Sequence, residues 1–303
     1  MKNKIVTVFG GTGFIGKYVI DELVKAGYTI RVISRSLERA KNLRTGAYVG
    51  QIVPVAGDLN MPENFAQLIE GSYAVVNLVG VLFESGKQNF ERIHHQNAGK
   101  LATAAKKAGV EKFVHLSAIV AENSSAKYAV TKIAGEMVIQ NAFPDSVILK
   151  PSVVFGAEDN FFNKFAKMAV FSPILPLIGK DTKFQPVYVG DVAKAVLAAV
   201  NGAKSGTYQL AGPQSLTFKD ILLLVEKYIN RKRFLLNIPF CVAKVIAFFS
   251  PAFVLTRDQV ELLKQDNVAS TKSKGLKELG ITPTAIDAVV PEYLARFRKK
   301  APK

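Results

Sequence analysis

Tryptophan is absent from the 303 residues, cysteine occurs once and histidine three times. The single Cys241 excludes an internal disulfide and any cysteine-rich metal site, and its apolar surroundings without an activating base predict a small core residue. His94, His95 and His115 lack partners at metal-ligand spacing, which leaves them structural or surface roles and predicts no metal. Acidic residues are scarce, 24 against 40 Lys and Arg, for a formal charge of +16. Nucleic acid fits that excess poorly, since zinc spacing, an RNP-like aromatic pattern and a recognition helix are all missing. An anionic membrane surface, an acidic protein partner or a solvated lysine-rich face each account for it. No charged segment followed by an apolar one opens the chain, so no cleaved secretory signal is expected.

What is present begins with KIVTVFGGTGFIG, Lys4 to Gly16. An apolar run from Ile5 to Phe9 breaks into a glycine-rich turn and restarts with helical spacing, which reads as strand, tight turn, helix. Gly10 lets the backbone turn, Gly13 lets it approach a phosphate, and Gly16 lets the helix pack on its strand. Gly11 and Thr12 complete the turn, and Phe14 and Ile15 open a helix whose first N–H groups suit a pyrophosphate. A glycine triplet alone is weak evidence. Its place between a strand and a helix makes dinucleotide binding the expectation.

Tyr28 to Ser34 reads as the second strand, and Arg35 follows it. NAD sites commonly place Asp or Glu here to accept from ribose hydroxyls, whereas a guanidinium suits a 2′-phosphate, so NADP(H) is favoured over NAD(H). Ile52 to Ala56 forms a third strand, after which Asp58 either reaches an adenine amino group or caps the helix following Asn60. Tyr73 to Val79 is a fourth strand closing at Gly80, where a small residue admits a cofactor ribose. A long amphipathic helix to about Lys107 leads to the fifth strand, Lys112 to Leu116, ended by Ser117. Tyr128 and Lys132, at i and i+4, share a helix face, so an ammonium beneath the phenol can lower its pKa. With Ser117 holding a substrate oxygen, Tyr128 can exchange a proton while nicotinamide exchanges hydride. A second tyrosine–lysine pair, Tyr228 and Lys232, follows no strand-ending serine and is read as incidental. Ser146 to Lys150 gives a sixth strand, and six strands separated by helices predict an α/β fold with a doubly wound parallel sheet.

GGTGFIG, the Ser117/Tyr128/Lys132 set and the strand-ending KPSVVFG resemble the extended or atypical short-chain dehydrogenase/reductase superfamily. Downstream, FPDSVILKPSVVFGAEDNFFNKFA, QPVYVGDVAKAV, LTRDQVELLKQDN and GLKELGITPTAID are similar, in order and spacing, to the NAD(P)H-binding accessory subunit family of respiratory complex I, mitochondrial and bacterial. That resemblance implies tight NADPH binding close to the membrane and the quinone region, without established turnover. It implies that Gly10, Gly13, Gly16 and Arg35 hold the cofactor, with Asp58, Tyr128 and Lys132 lining its ends and Leu59, Val79, Gly80 and Pro151 bordering it. It also implies complex I or quinone-biosynthesis proteins as partners, and a place on the inner face of a bacterial membrane or the matrix side of a mitochondrion. The intact Ser117, Tyr128 and Lys132 leave an active reductase, epimerase or dehydratase open.

Residues 1–155 are expected to form the Rossmann core and 156–303 a smaller mixed lobe interleaved with it. Pro173, Pro176 and Gly179 punctuate a loop over the sheet edge. Asp191 is read as a helix N-cap, Thr207 to Leu210 as a short strand and Leu216 to Ile229 as a helix. Phe234 to Leu255 is the most apolar stretch. Lys244, which costs on the order of 2.5–3.5 kcal/mol at a bilayer centre, and Pro239 and Pro251 argue against a span. A segment lying on lipid beside Arg231, Lys232 and Arg233, a protein contact and an ordinary core remain open. A last helix from about Thr284 ends in the basic ARFRKKAPK, an anchor or a solvated tail.

Overall fold

A computed structural model of the chain describes residues 4–41, 43, 50–86, 88–249 and 255–298. Six strands occur where alternation placed them: β1 Ile5–Phe9, β2 Thr29–Ser34, β3 Ile52–Ala56, β4 Ser72–Asn77, β5 Lys112–Leu116 and β6 Val147–Pro151. Further on come β7 Val154–Phe155, β8 Ile174–Ile178, β9 Lys183–Phe184, β10 Val187–Tyr188, β11 Gly206–Leu210, β12 Leu216–Thr217 and β13 Phe234–Ile238. The large sheet has seven strands in the order β11-β6-β5-β4-β1-β2-β3, all parallel. The short strand expected at Thr207 is thus the seventh member, paired along β6. Strand order reverses between β1 and β4, and ligands of such sheets bind in the crevice outside the carboxyl ends at that point.

Helices cover both faces: α1 Phe14–Lys25, α2 Leu37–Lys41, α3 Phe65–Ile69, α4 Asn97–Lys107, α5 Lys127–Ala142, α6 Phe162–Phe171, α7 Val189–Val200, α8 Phe218–Ile229, α9 Phe240–Phe249, α10 Arg257–Leu262 and α11 Val290–Leu294. The strand period of two sorts the core. Val6, Val8, Ile30, Val32, Val114 and Leu149 face α1 and α7. Phe9, Ile33, Val75, Phe113 and Ile148 face α3, α4 and α5. The helix before α4 is not regular, because Glu91–Gln96 forms a π turn. Gly135 of α5 permits it, since a Cβ there would stand 2.0 Å from the His94 carbonyl oxygen.

The lobe has its own core, in which Phe161, Phe165, Phe184 and Phe218 meet at ring separations of 5.3–6.3 Å. Several expectations change here. The stretch with Pro173 and Pro176 is not a loop throughout: β8 pairs in parallel with β13, and a two-stranded sheet tolerates Pro176 because each strand keeps a free edge. Asp191 is not the N-cap of α7, a position held by Tyr188 without a side-chain bond. It is fully buried and accepts from the Thr284 N–H at 2.7 Å and the Thr284 hydroxyl at 3.1 Å, tying the C-terminal segment to α7. Helix α8 begins at Phe218 behind a Thr217–Asp220 capping box. The last helix shrinks to α11 flanked by 3-10 turns. Cys241 is exposed on α9 rather than a core residue. The Tyr228 hydroxyl is spent on Asp287, in keeping with a structural role for that second pair.

Candidate cofactor and active site

The glycine turn joins β1 to α1 at the switch point. Gly10 has φ +83°, and a Cβ on it would stand 3.1 Å from the backbone at Leu78 and Val79 of the neighbouring strand end. The Gly13 N–H donates to the Gly10 carbonyl at 3.1 Å and closes the turn. A Cβ on Gly16 would lie 2.4 Å from Gly10 O and 2.6 Å from Gly11 backbone atoms, so the helix can start this close to its strand only with glycine. Gly11 is buried against Ile20 and Val32, Thr12 is half-buried, and Gly13 is exposed at the N-cap of α1. Phe14 packs edge-on to Tyr18 at 6.0 Å and against Gly156, and Ile15 rests on the first core.

Arg35, exposed at the end of β2, lies against Gln88 across the crevice; with the Gln88 amide turned to present its oxygen, one guanidinium nitrogen donates at 3.0 Å. Asp58 does not cap a helix. Its carboxylate accepts from the Asn60 N–H at 2.9 Å in an Asx turn, and Met61 holds the N-cap position of the following 3-10 turn. Leu59 is 3% exposed, and its side chain belongs to the core around Phe9 and Phe65. The Val79 N–H donates to Asn77 Oδ1 at 3.1 Å, and the Pro151 carbonyl accepts from Ile119 N–H at 2.9 Å.

At the other end of the crevice, α5 brings Tyr128 and Lys132 beside Ser117 and Gly80. Lys132 Nζ lies 5.9 Å from the Tyr128 ring centroid and donates to the Leu116 carbonyl at 3.3 Å. A Cβ on Gly80 would stand 3.3 Å from Lys132 Nζ and 3.8 Å from His94 Nε2, so glycine keeps the approach to the ammonium open. The electrostatics differ from the sequence expectation. Burial pushes the Tyr128 phenol up, and the Asp258 and Glu136 carboxylates add to the rise, so the ammonium does not lower it. Burial pushes Lys132 down to about 8 against the pull of Glu136. The Ser117 hydroxyl donates to Glu136 at 2.5 Å, and Glu136 also accepts from Lys150 Nζ at 2.9 Å, both side chains being nearly buried. Ser117 is therefore left as an acceptor toward the crevice.

Four residues here carry no motif of their own. His94 accepts the Val81 N–H on Nε2 at 3.1 Å and faces Thr131 Oγ1 with Nδ1 at 3.3 Å; burial first, then Lys132 and His115, push it down to about 2, so it is neutral. Phe90 stacks on His94 at 5.3 Å and meets the Tyr128 ring edge-on at 5.7 Å. Glu136 extends the Tyr128, Lys132 series by another four residues, a spacing that could have marked it. Asp258, 130 residues beyond Tyr128, accepts from the Lys127 N–H at 2.6 Å and the Tyr128 N–H at 3.0 Å and so caps α5 from another helix. Its local TRDQ pattern announces the start of α10, not this contact. Beneath the site, Asn77 Nδ2 and both ring nitrogens of His115 are buried without a hydrogen-bond partner among the described residues. His115 is pushed down to about 3 by burial and by Lys132.

The glycine cradle, the open approach at Gly80 and the exposed cation at Arg35 fit a dinucleotide lying along the crevice. Among the described residues no group of histidine, cysteine or carboxylate side chains could hold a metal ion. Residues 6–211 match the NAD dependent epimerase/dehydratase family. The 40 kDa mitochondrial subunit of NADH-ubiquinone oxidoreductase from Neurospora crassa is 30% identical over 97% of this chain and 80% of that protein. NADH dehydrogenase (ubiquinone) 1 alpha subcomplex subunit 9 of Rattus norvegicus is 33% identical over the same shares. In fold, a NADPH-dependent quinone oxidoreductase of Escherichia coli, solved with NADPH, superposes with a TM-score of 0.76 at 19% identity, covering 96% of this chain and 99% of that chain. The chain has an NAD(P)-binding fold and belongs to the NAD dependent epimerase/dehydratase family, together with these mitochondrial NADH–ubiquinone oxidoreductase subunits.

Proposed function

We propose that the chain is an NAD(P)H-binding accessory subunit or assembly partner of a respiratory NADH–quinone oxidoreductase, with a structural or redox-sensing role at the membrane. The observation that carries this reading is similarity at 30–33% identity to mitochondrial subunits over 97% of the chain. The Rossmann core, residues 1–155, holds the cofactor, and the interleaved lobe, 156–303, meets the partner or an anionic membrane surface. Its place is the inner face of a bacterial membrane or the matrix side of a mitochondrion. The similar mitochondrial proteins are respiratory subunits, not quinone-biosynthesis proteins, which favours the respiratory complex as partner. The engagement of Ser117 with Glu136 and the raised Tyr128 pKa support binding over rapid turnover.

NADP(H) is the favoured cofactor because Arg35 offers a guanidinium where a 2′-phosphate would lie. Arg35→Asp is expected to weaken NADPH by about tenfold or more, the scale of one charge-assisted bond, and NADH much less; equal loss of both removes the preference. A native gel of gently solubilised membranes, probed for this chain beside an NADH-dehydrogenase activity stain, tests the main reading. Co-migration is expected. Migration as a free small oligomer, with the complex intact, overturns it.

A second reading rests on Tyr128, Lys132 and Ser117 sharing one crevice with Gly80: an NADP-dependent oxidoreductase, epimerase or dehydratase in which Tyr128 moves the proton. The cofactor would supply and accept hydride. Lys132 holds charge near the phenol, and Glu136 keeps Ser117 turned so that it accepts. Tyr128→Phe should then abolish substrate-dependent change in NADPH absorbance while leaving NADPH affinity within about twofold. Quinone precursors, isoprenoids and nucleotide sugars form the substrate panel, and no turnover on any of them removes this reading.

A further inference from the structure

Helix α9 is packed inside out. Its buried residues are Ala243 and Ala247, one turn apart, while Val242, Val245, Ile246, Phe248 and Phe249 are exposed, Phe249 at 80%. A helix on a core ordinarily turns its large apolar residues inward, and a cluster of exposed ones marks an interaction surface. No helix among the described residues is long and apolar enough to cross a membrane, and α9 spans ten residues.

Two open grooves flank Phe248. One, of about 380 Å³, runs along Val245 and Phe249 with Lys244 at its side; the other, of about 360 Å³, runs between Phe83, Phe90 and Leu255, with Glu84, held by Lys127, and Asp258, held by the α5 N-terminus, at its polar edge. Arg257 borders both, its guanidinium 4.2 Å from the centre of the Phe248 ring. No carboxylate of the described residues forms an ion pair with it. Glu261, in the first groove, is already held by Lys244 and Lys264.

We propose that this face docks on an anionic bilayer, with Arg257 binding the phosphate of a phospholipid whose two acyl chains lie in the grooves on either side of Phe248. The proposal rests on the membrane-side placement of the function proposed above. Among the described residues lining these two partly apolar grooves, Arg257 is the cation without an ion-pair partner, and its place between them matches one phosphate joined to two chains; the net charge of +16 favours anionic over neutral lipid. A protein partner would bury the same apolar residues but supplies no reason for a cation shared by both grooves. Docking would also hold the residue next to Asp258, the cap of the Tyr128 helix.

The chain contains no tryptophan, so Phe249→Trp places a lone indole on α9. The full chain is mixed with vesicles of phosphatidylglycerol and phosphatidylcholine carrying brominated acyl chains. The Phe249→Trp indole is expected to shift to the blue and be quenched, more strongly than with phosphatidylcholine alone. A lone indole from Val53→Trp, on the outer strand β3, is expected to stay unquenched. Adding Arg257→Gln to Phe249→Trp should weaken partitioning about fivefold, the contribution of one basic residue at an anionic surface, with NADPH affinity unchanged. Sedimentation with vesicles but without quenching at position 249 means attraction by the general basic surface and overturns the proposal. So does an unaltered affinity for Arg257→Gln, or a blue shift that grows with protein concentration in the absence of lipid, which would mean a second copy covers the face. Quenching without co-migration with the respiratory complex leaves lipid docking standing and removes the subunit reading; co-migration without quenching does the reverse.

Discussion

At the cofactor turn, contacts are made within a few residues of each other: Gly13 N–H reaches Gly10 O, and Gly16 lies against Gly10 and Gly11. At the N-terminus of the Tyr128 helix the decisive contact comes from Asp258, 130 residues away, and the capped residue Lys127 in turn reaches back 43 residues to Glu84 at 2.9 Å. Both ends of the crevice have to be rigid for a dinucleotide to lie between them. The first is rigid because its backbone has no room to do otherwise; the second is held by elements that must find each other. A change at the turn should therefore cost more than a change at the cap.

The largest effect is expected at the turn. Gly16→Ala gains about 1 kcal/mol of helix propensity, but its methyl meets backbone at 2.4 Å and overpacking against atoms that cannot move costs about 3 kcal/mol. A net loss near 2 kcal/mol in denaturant unfolding is expected, together with loss of nicotinamide dinucleotide binding. Full stability and binding would mean that the turn relaxes easily and that the contrast between the two ends is unfounded.

Next comes pH. Lys132 is pushed down to about 8 in the folded chain, against an ordinary 10.5 when unfolded. Between those values the unfolded state holds the extra proton, so stability rises with pH. The expected rise between pH 8 and 10 is about 2 kcal/mol, below the 2.7 kcal/mol that two full units would give. The comparison is the slope of the wild-type chain minus that of Lys132→Met, which cancels the tyrosines that oppose the trend at higher pH. Parallel slopes would place Lys132 in contact with solvent. At the cap, Asp258→Asn keeps an acceptor but loses the charge facing the helix N-terminus, so about 1 kcal/mol is expected. The same change should bring the Tyr128 pKa down, because Asp258 contributes to raising it.

What could be read in advance follows the same division. The six strands, the glycine turn and the Tyr128/Lys132 face depend on periods of two and four and on the conformational freedom of glycine, all local properties of the chain. The Ser117–Glu136–Lys150 linkage, the π turn that brings His94 to Lys132, and the pairing of β8 with β13 depend on which elements end up adjacent. Residue type carries no such information. The direction of the Tyr128 pKa differs from the sequence expectation for this reason: spacing shows the nearby ammonium, but burial and the two carboxylates that raise the pKa come from tertiary packing.

Cys241 gives the smallest effect and the sharpest test of that division. An apolar neighbourhood in sequence placed it in the core, whereas in the fold it is exposed on α9, because α9 buries its alanines instead. A buried thiol would react with a bulky disulfide reagent only on unfolding, and its removal would leave a cavity. An exposed one should react in the native state at nearly the rate of a free thiol, and Cys241→Ser should change stability by less than about 0.5 kcal/mol. Slow native labelling together with a loss of 1 kcal/mol or more would return Cys241 to the core and turn α9 over, removing the exposed apolar face with it. Fast labelling with unchanged stability would place Cys241 on the surface and support the exposed apolar face of α9 as a contact with something outside the chain.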